Sequence, residues 1–132
     1  MSRKQPVRVK DVMSGHFQLV DGLMTVDQAI LLMKEHGSRL LIIDKRHEDD
    51  EYGIVLLSDI ARDVLSTTRA PERVNVYEVM SKPVVSVDPG MDIRYCASLF
   101  YRLGFSYAPV IDHGKVLGIV GYTDLVLDGL AK

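Results

Sequence analysis

The hydrophobic positions of this chain change period several times, and the changes predict short strands alternating with amphipathic helices. Apolar residues recur at intervals of three and four at Val26, Ala29, Ile30 and Met33, which is the spacing of one helical face. The continuous apolar run Leu40–Ile43 is typical of a strand buried on both faces. A helix followed by a buried strand is therefore expected in the first half.

The same pattern returns in the second half of the chain. The segment VKDVMS at residues 9–14 matches VYEVMS at residues 76–81, an offset of 76 − 9 = 67. Farther along, GIV at residues 53–55 matches GIV at residues 118–120, an offset of 118 − 53 = 65. Agreement in order and spacing over most of both segments indicates a tandem duplication.

Each copy has the same predicted order of elements, β-α-β-β-α, which makes the chain an α+β protein. Thr25 and Asp92 stand at matching positions where they can cap a helix. Gly37 and Gly104 stand where those helices would end. The predicted strands and closing helices are strands at 17–20, 40–43, 53–57, 84–87, 108–111 and 118–122, and helices opened by Ser58-Asp59 and Thr123-Asp124.

The repeats define the expected domain organisation. We predict a first repeat at 7–66, a polar linker at 67–75 and a second repeat at 76–131. A unit of about sixty residues buries only about 60% of its unfolded surface. The two repeats are therefore expected to pack together, with pseudo-two-fold symmetry.

Composition and charge exclude several classes of protein. With 26% charged residues and a net charge of −2, the chain has no electrostatic footprint for duplex nucleic acid or an anionic membrane. Residues 1–6 carry positive charge without an apolar run behind them, so we expect no signal peptide, and no run approaches the ~20 apolar residues of a membrane span. A cytoplasmic location is expected. The single cysteine, Cys96, lies in an apolar helical stripe and is expected to be a core residue.

Catalytic and metal-binding signatures are missing from the sequence, which predicts no enzyme. No G-x-S-x-G elbow, P-loop or H-E-x-x-H motif occurs, and the four histidines share no metal-ligand spacing. The acidic run at residues 47–51 lacks the spacing of a calcium loop. It is expected to be a solvated hairpin tip, and no metal is predicted.

Two features that occur in duplicate remain as candidate sites. The first is a strand that runs into a hydroxyl-carboxylate pair, GIVLLSD at 53–59 and GIVGYTD at 118–124. The carboxylate of Asp59 or Asp124 can accept two hydrogen bonds from the vicinal hydroxyls of a ribose, and the helix start favours a phosphate nearby. The alternative is that these residues only cap the helix.

The second feature precedes the buried strand of each copy, at residues 38–41 and 106–109. Pro109 lacks an amide hydrogen and belongs at the start or the edge of a strand. Backbone groups of Tyr107 and Ala108 would then be free for the base edge of a ligand. A plain strand start is the alternative.

These segments together resemble a tandem pair of cystathionine-β-synthase (CBS) domains, also called a Bateman module. The resemblance rests on the duplicated VMS, the GIV strand, the closing Ser/Thr-Asp and the S-x-x-P-V-I-D run at 106–112, and it covers residues 7–131. It implies clefts between the repeats that bind AMP, ADP, ATP or S-adenosylmethionine as a regulatory ligand, with no required cofactor. It also implies a disc-like homodimer that acts on a separate, unidentified protein, since no catalytic domain is seen in the chain.

The resemblance assigns roles to individual residues. Asp59 and Asp124 would hold ribose hydroxyls, and the backbone near Tyr107 would meet the base, helped by the apolar residues near Val84. Phosphate would be met by Arg39, Arg62 and Lys82, the first two through a guanidinium fork. The candidate ligand-binding residues are Asp124, Thr123, Gly121, Tyr107, Ala108, Pro109, Val84, Val85, Lys82, Asp59, Ser58, Arg39 and Arg62.

The chain departs from the family pattern three residues before each aspartate. Many nucleotide-binding members have Thr or Ser there, whereas this chain has Leu56 and Gly121. Gly121 is expected to leave room for a ligand, and Leu56 is expected to fill space. We therefore expect the cleft with Asp124 to be the better binding site. The alternative function is a structural dimerisation module with non-functional clefts.

Overall fold

The computed structural model describes residues 5–131. Of residues 1–6, which are predicted to carry no leader, the first four lie outside that range. The helices are α1 Val9–Val12, α2 Val26–His36, α3 Leu57–Ile60 and α4 Ile93–Leu103, and the strands are β1 Leu19–Val20, β2 Leu40–Ile43, β3 Gly53–Leu56, β4 Tyr107–Asp112 and β5 Lys115–Gly121. Wider π-helical turns are Ala61–Leu65 and Asp124–Asp128, and 3-10 turns are Pro71–Arg73 and Val76–Glu78. The mixed α+β class is confirmed.

The chain forms two compact units, and each is built from parts of both repeats. One, which we call the repeat-1 unit, consists of residues 17–84. The other, the repeat-2 unit, consists of residues 5–16 and 85–131 of the described chain. The duplicated VMS segments, which we call the lead segments, are therefore exchanged. Residues 9–14 pack into the repeat-2 unit, and residues 76–81 pack into the repeat-1 unit.

The repeat-1 unit is a three-stranded sheet covered by α2. The strand order is β1-β2-β3, with β1 parallel and β3 antiparallel to the central strand. Helix α2 buries Val26, Ala29 and Met33 against Leu41, as the spacing predicts. Ile30, which the pattern also assigns to this face, is 37% exposed.

The repeat-2 unit is an antiparallel hairpin of β4 and β5 covered by α4. Ile93, Cys96 and Phe100 are buried on the inner face of α4. Burial raises the pKa of the Cys96 thiol to about 11. The predicted core position of this cysteine is therefore confirmed.

The predicted strand at 84–87 is wrong. Only Val87 pairs, in a single parallel bridge with Val110, where the amide of Ile111 donates to the Val87 carbonyl at 3.1 Å. Two residues earlier in β4 stands Pro109, which has no N–H to donate to Val85. The next bond of the ladder is therefore missing, and the segment stays outside the sheet.

The repeat-1 unit shows the effect of this bond where it is present. There the amide of Asp44 donates to Val20 at 2.8 Å, and the amide two residues earlier, on Ile42, donates to Gln18 at 3.0 Å. Two successive bonds define the short strand β1. With an N–H donor at this position the segment pairs as a strand, and without one it forms only an isolated bridge.

The glycines that open the duplicated GIV sequences make room for the lead segments. A Cβ on Gly118 would lie 2.5 Å from the Ser14 carbonyl oxygen. At the adjacent residue, Ile119 and Ser14 exchange two backbone hydrogen bonds of 2.9 Å. Gly53 has the same relation to the other lead segment, since its Cβ would lie 2.6 Å from Met80 Sδ. The glycines thus serve packing within each unit.

The predicted ends of the two long helices are confirmed. Thr25 Oγ1 accepts a hydrogen bond from the amide three residues on at 3.1 Å. Asp92 Oδ1 accepts one from the amide two residues on at 2.8 Å. Gly37 and Gly104 end the helices at φ values of 64° and 74°, where a residue without Cβ is favoured. No helix within residues 5–131 has the length and apolarity needed to cross a membrane.

Candidate ligand-binding site

The two candidate aspartates reach back to the start of their closing helices. Asp59 Oδ2 accepts a hydrogen bond from the Leu56 amide at 2.8 Å, and Asp124 Oδ2 accepts one from the Gly121 amide at 2.8 Å. The helix α3 begins at Leu57, so the predicted opening by the hydroxyl residues is wrong. Both aspartates cap the helix from inside its first turn, which leaves their second oxygens to be considered.

In the repeat-1 unit the second carboxylate oxygen is already paired. Arg62 Nη2 lies 3.1 Å from Asp59 Oδ1, and its guanidinium also contacts Asp63 at 2.9 and 3.0 Å. The Asp63 and Asp59 carboxylates hold the pKa of Arg62 above its usual range, and Arg62 lowers the pKa of Asp63. The Asp59 side chain is 7% exposed. The Asp59 carboxylate is therefore paired within the unit, with a guanidinium that it shares with Asp63.

In the repeat-2 unit the second oxygen has no such partner. No hydrogen bond or ion pair within residues 5–131 reaches Asp124 Oδ1. Burial raises the pKa of Asp124, repulsion from Asp128 adds to that, and the hydrogen bond from Gly121 opposes it. At the position of Arg62 this unit has Leu127 (127 − 62 = 65). A carboxylate offers about four acceptor sites, and most of those on Asp124 are open.

The hydroxyl residues beside the aspartates take no part in capping. Ser58 and Thr123 are both exposed, and neither side chain makes a hydrogen bond within the described chain. Their hydroxyls stand next to the carboxylates and are open to solvent. Their predicted contact with a ligand stays a prediction.

The space beside Gly121 is filled by the ring of Tyr107. A Cβ on Gly121 would lie 2.7 and 2.8 Å from two ring carbons of Tyr107, the residue directly opposite it in the hairpin. The expectation that Gly121 leaves room is therefore wrong for this arrangement. A ligand at Asp124 would contact the tyrosine ring or displace it.

Backbone direction separates Tyr107 from its neighbour Ala108. Pro109 turns its carbonyl away from β5, because this oxygen accepts the Val87 amide at 3.0 Å. Backbone groups alternate in direction along a strand, so those of Tyr107 also face away from β5. Those of Ala108 face Val120, its partner in the ladder. The backbone of Tyr107 is the one available to the base edge of a ligand.

The candidate residues that precede the second repeat's helix, Val84, Val85 and Lys82, are divided between the two units. Val85, which is 44% exposed, belongs to the repeat-2 unit. Val84 and Lys82 belong to the repeat-1 unit, where the Val84 amide donates to Tyr52 at 3.1 Å. The Lys82 ammonium lies 2.7 Å from Asp50 Oδ1. A structural partner therefore already holds this candidate phosphate contact.

The acidic hairpin tip is not wholly solvated, contrary to expectation. The Asp50 side chain is 8% exposed, and it contacts both Lys82 and, at 3.3 Å, Arg46. The Lys82 ammonium is the main cause that holds the pKa of Asp50 well below its usual range, with the Arg46 backbone amide next. Sequence reasoning missed this anchor because residues 50 and 82 are far apart in the chain. No cluster that fits a metal ion was found in residues 5–131.

A cavity of about 570 Å³ lies beside Lys82, at the end of the repeat-1 sheet where β1 and β2 finish. Asp21 and Asp44, which follow β1 and β2, line it together with Lys82. Arg39 is exposed and has no ion pair in the described chain. Because it precedes β2, it lies at the opposite end of that strand from the cavity. Arg39 stands at the end of β2 that pairs with Leu56, just before Asp59.

Comparison with known proteins identifies the family. The family model for the CBS domain matches residues 9–66 and 76–128. The CBS domain-containing protein YhcV of Bacillus subtilis is 29% identical over 129 residues, which cover 94% of this chain and 86% of YhcV. An uncharacterized protein of Methanopyrus kandleri, MK0525, is 30% identical over 95 residues. That match covers 71% of this chain and 48% of the relative, so the chain spans about half the length of that protein.

Solved structures agree with that assignment. The hexameric CBS-CP12 protein from bloom-forming cyanobacteria has a TM-score of 0.91 at 36% identity, covering 98% of this chain and 77% of its own. The CBS domain pair of protein MJ0100, in complex with 5′-methylthioadenosine and S-adenosyl-L-methionine, has a TM-score of 0.82 at 24% identity. That match covers 97% of this chain and 100% of its own. Because the family model matches two separate segments that make up most of the chain, the chain belongs to the CBS domain family and carries two CBS domains.

Proposed function

We propose that this chain is a regulatory module that binds an adenosine derivative and acts on a separate protein. The observation that carries the proposal is the Asp124 carboxylate, which is partly buried and keeps one oxygen without a partner in the repeat-2 unit. Family membership supports it, as does the MJ0100 pair of the same fold, which binds two adenosine compounds. AMP, ADP, ATP and S-adenosylmethionine are the candidate ligands.

The chemistry of the Asp124 turn suits a ribose. Vicinal hydroxyls can donate to the two carboxylate oxygens at once, and hydrogen bonds to a charged acceptor are stronger than neutral ones. The outward backbone groups of Tyr107 offer a donor and an acceptor to the base. Exposed apolar surface at Val85 suits the face of a purine ring. Arg39, which has no ion pair in the described chain, is the candidate phosphate contact in the other half.

Regulation needs more than occupancy of the site. A ligand shifts a conformational equilibrium only by its difference in affinity for the two states. In this proposal the ligand favours one packing of the module, and a partner protein recognises that packing. The module itself needs no cofactor and performs no catalysis.

We further propose that the module works as a homodimer. The hexameric relative supports self-association. So does an apolar groove of about 510 Å³ in the repeat-1 unit, lined by Ile30, Leu57 and Leu65 among others. Leu65 is 80% exposed and Leu57 is 49% exposed, and contiguous exposed apolar surface is typical of interaction sites.

A structural dimerisation module is the second candidate function. Two observations favour it: the ion pair that occupies Asp59, and the ring of Tyr107 beside Gly121. Each reduces what a candidate site offers to a ligand. In this case the chain would self-associate and ignore adenosine compounds.

A thermal-shift series with AMP, ADP, ATP and S-adenosylmethionine separates the two functions. A ligand that binds only the folded state stabilises it by about 2.7 kcal/mol at a hundredfold excess over Kd. The sensor proposal predicts a rise in Tm with at least one of the four compounds. No rise with any of them, in a chain that still self-associates, would leave the dimerisation module.

A further inference from the structure

The closing turns of the two repeats contain the same pair of carboxylates in different surroundings. Asp59 and Asp63 correspond to Asp124 and Asp128, both at the repeat offset of 124 − 59 = 128 − 63 = 65. In the repeat-1 unit the pair shares one guanidinium, since Arg62 lies 3.1 Å from Asp59 and 2.9 and 3.0 Å from Asp63. Like charges four residues apart on a helix repel each other, and the shared cation offsets that repulsion.

In the repeat-2 unit the same pair holds no cation. Leu127 stands at the position of Arg62, and no hydrogen bond or ion pair within residues 5–131 reaches the exposed Asp128 carboxylate. Burial raises the pKa of Asp124, and repulsion from Asp128 adds to the rise, so the two carboxylates are within electrostatic reach of each other. Like charges left together without a partner break a local rule, and such breaks are typical of functional sites.

The second cation of the repeat-1 turn also has no counterpart in the repeat-2 unit. Arg39 directly precedes β2, and Ser106 directly precedes β4, an offset of 106 − 39 = 67 that the register of the two sheets supports. The nearest basic residue before Ser106 is Arg102, which is exposed and has no ion pair in the described chain. Residues 121–128 themselves contain two carboxylates and no basic side chain.

We propose that Asp128 is a specificity-determining residue that selects adenosine ligands with a positively charged group at the 5′ position. The charge of the ligand takes the place that the Arg62 guanidinium fills in the repeat-1 unit. The sulfonium of S-adenosylmethionine supplies such a charge, whereas the phosphates of AMP, ADP and ATP bring like charge to the carboxylates. The inference rests on the proposed binding of an adenosine derivative at Asp124, and it names the class of ligand.

The size of the effect follows from the exposure of Asp128. A sulfonium has no proton to donate, so its attraction to the carboxylates is Coulombic and is weakened by salt. Ion pairs at exposed positions contribute about 0.2–1 kcal/mol. A preference of about fivefold at low salt is therefore expected, and it should shrink as the salt concentration rises.

A matched pair of ligands isolates the charge. S-adenosylhomocysteine differs from S-adenosylmethionine by one methyl group and by the positive charge on sulfur. In calorimetric titrations at low salt, with EDTA to exclude divalent cations, the wild type should bind S-adenosylmethionine about fivefold more tightly than S-adenosylhomocysteine. AMP should bind more weakly than either compound.

The variant Asp128→Asn should remove most of this preference. Its affinity for S-adenosylmethionine should fall to within about twofold of that for S-adenosylhomocysteine, and its affinity for the uncharged thioether should stay at the wild-type value. Asp112→Asn, at the other end of β4 from Tyr107, removes an equal charge and should keep the wild-type preference. Because Asp128→Asn relieves a repulsion, its thermal unfolding midpoint should equal or exceed that of the wild type.

The titrations distinguish failure of this selectivity from failure of the sensing function. Equal affinity of the wild type for the two matched ligands, tighter binding of AMP, or an unchanged preference in Asp128→Asn would overturn the role of Asp128 and leave adenosine sensing in place. A wild type that binds none of these compounds would overturn both.

Discussion

Asp59 and Asp124 occupy the same turn of the two repeats, yet their carboxylates have different environments. Each accepts the amide three residues earlier at 2.8 Å, so the capping contact is the same in both. Only Asp59 has an arginine within reach, because the corresponding residue in the other repeat is Leu127. A single change from arginine to leucine separates a paired carboxylate from an open one.

That difference shows how a duplicated structural contact can serve two purposes. The aspartate is needed in both copies because it satisfies a backbone amide at a helix start. Its remaining acceptor sites are committed to an ion pair in one unit and left open in the other. The better candidate site is therefore found through the missing partner and not through the shared motif.

The largest difference between the units is expected from their duplicated glycines. Gly118→Ala should lower the free energy of unfolding by about 3 kcal/mol, and Gly53→Ala by about 1 kcal/mol. The first new methyl group meets a backbone carbonyl at 2.5 Å, whereas the second meets the end of a flexible methionine side chain. Urea unfolding of both variants measures this, and equal losses would show that the lead segments yield equally in the two units.

An arginine at position 127, which corresponds to Arg62, should pair the Asp124 carboxylate as Asp59 is paired. Leu127→Arg supplies Asp124 with a guanidinium and should weaken binding of an adenosine ligand roughly tenfold. Leu127→Gln, which is polar and carries no charge, is the control. Titration calorimetry compares the two variants, and an equal effect of both would show that charge at this position is irrelevant.

Lys82 tests whether a candidate ligand contact is a structural one. Lys82→Met should lower Tm at neutral pH, because Asp50 then keeps a buried charge without its main partner. Since Asp50 has a pKa below its usual 3.8, its contribution to stability is present above that usual value and is lost as pH falls through the depressed pKa. The difference from wild type should therefore shrink in acid. The ligand response should not change, and its loss would assign Lys82 to the ligand.

The smallest effect is the pH dependence of Asp124. Its pKa is raised, so the folded state holds the proton more tightly than the unfolded state does. The stability that this gives is present below the ordinary value of 3.8 and is lost as pH rises through the raised pKa. Asp124→Asn has no carboxyl group to titrate, so it should lose less stability over this pH range than the wild type does, and solvent screening keeps the difference small. Unfolding free energies of both proteins over pH 3–7 measure it, and parallel curves would contradict it.

Local patterns in the sequence predicted the elements that depend on local interactions. The helix faces, the cap at Thr25 and the terminal glycines follow from spacing and from backbone preference within a few residues. The absence of a strand at 84–87 could also have been predicted. Pro109 lacks an N–H, and the ladder bond that this removes involves Val85, in a different segment.

Contacts between distant segments were not predictable in the same way. The exchange of the lead segments, the anchor from Lys82 to Asp50 and the ring of Tyr107 beside Gly121 each join residues that periodicity does not relate. The ion pair of Asp59 was predictable, because Arg62 is three residues on and faces the same side of a helix. Arg62 was expected to meet phosphate, although the Asp59 carboxylate of the chain itself was nearer.

Calorimetric titration of two variants with the adenosine compound that gives the largest thermal shift tests the central claim most directly. Asn in place of Asp124 or of Asp59 retains an oxygen for the backbone amide, so the two variants differ only in which charge is lost. Asp124→Asn is predicted to weaken binding at least tenfold, while Asp59→Asn binds as the wild type does. The reverse result, or equal binding by all three proteins, would contradict the account.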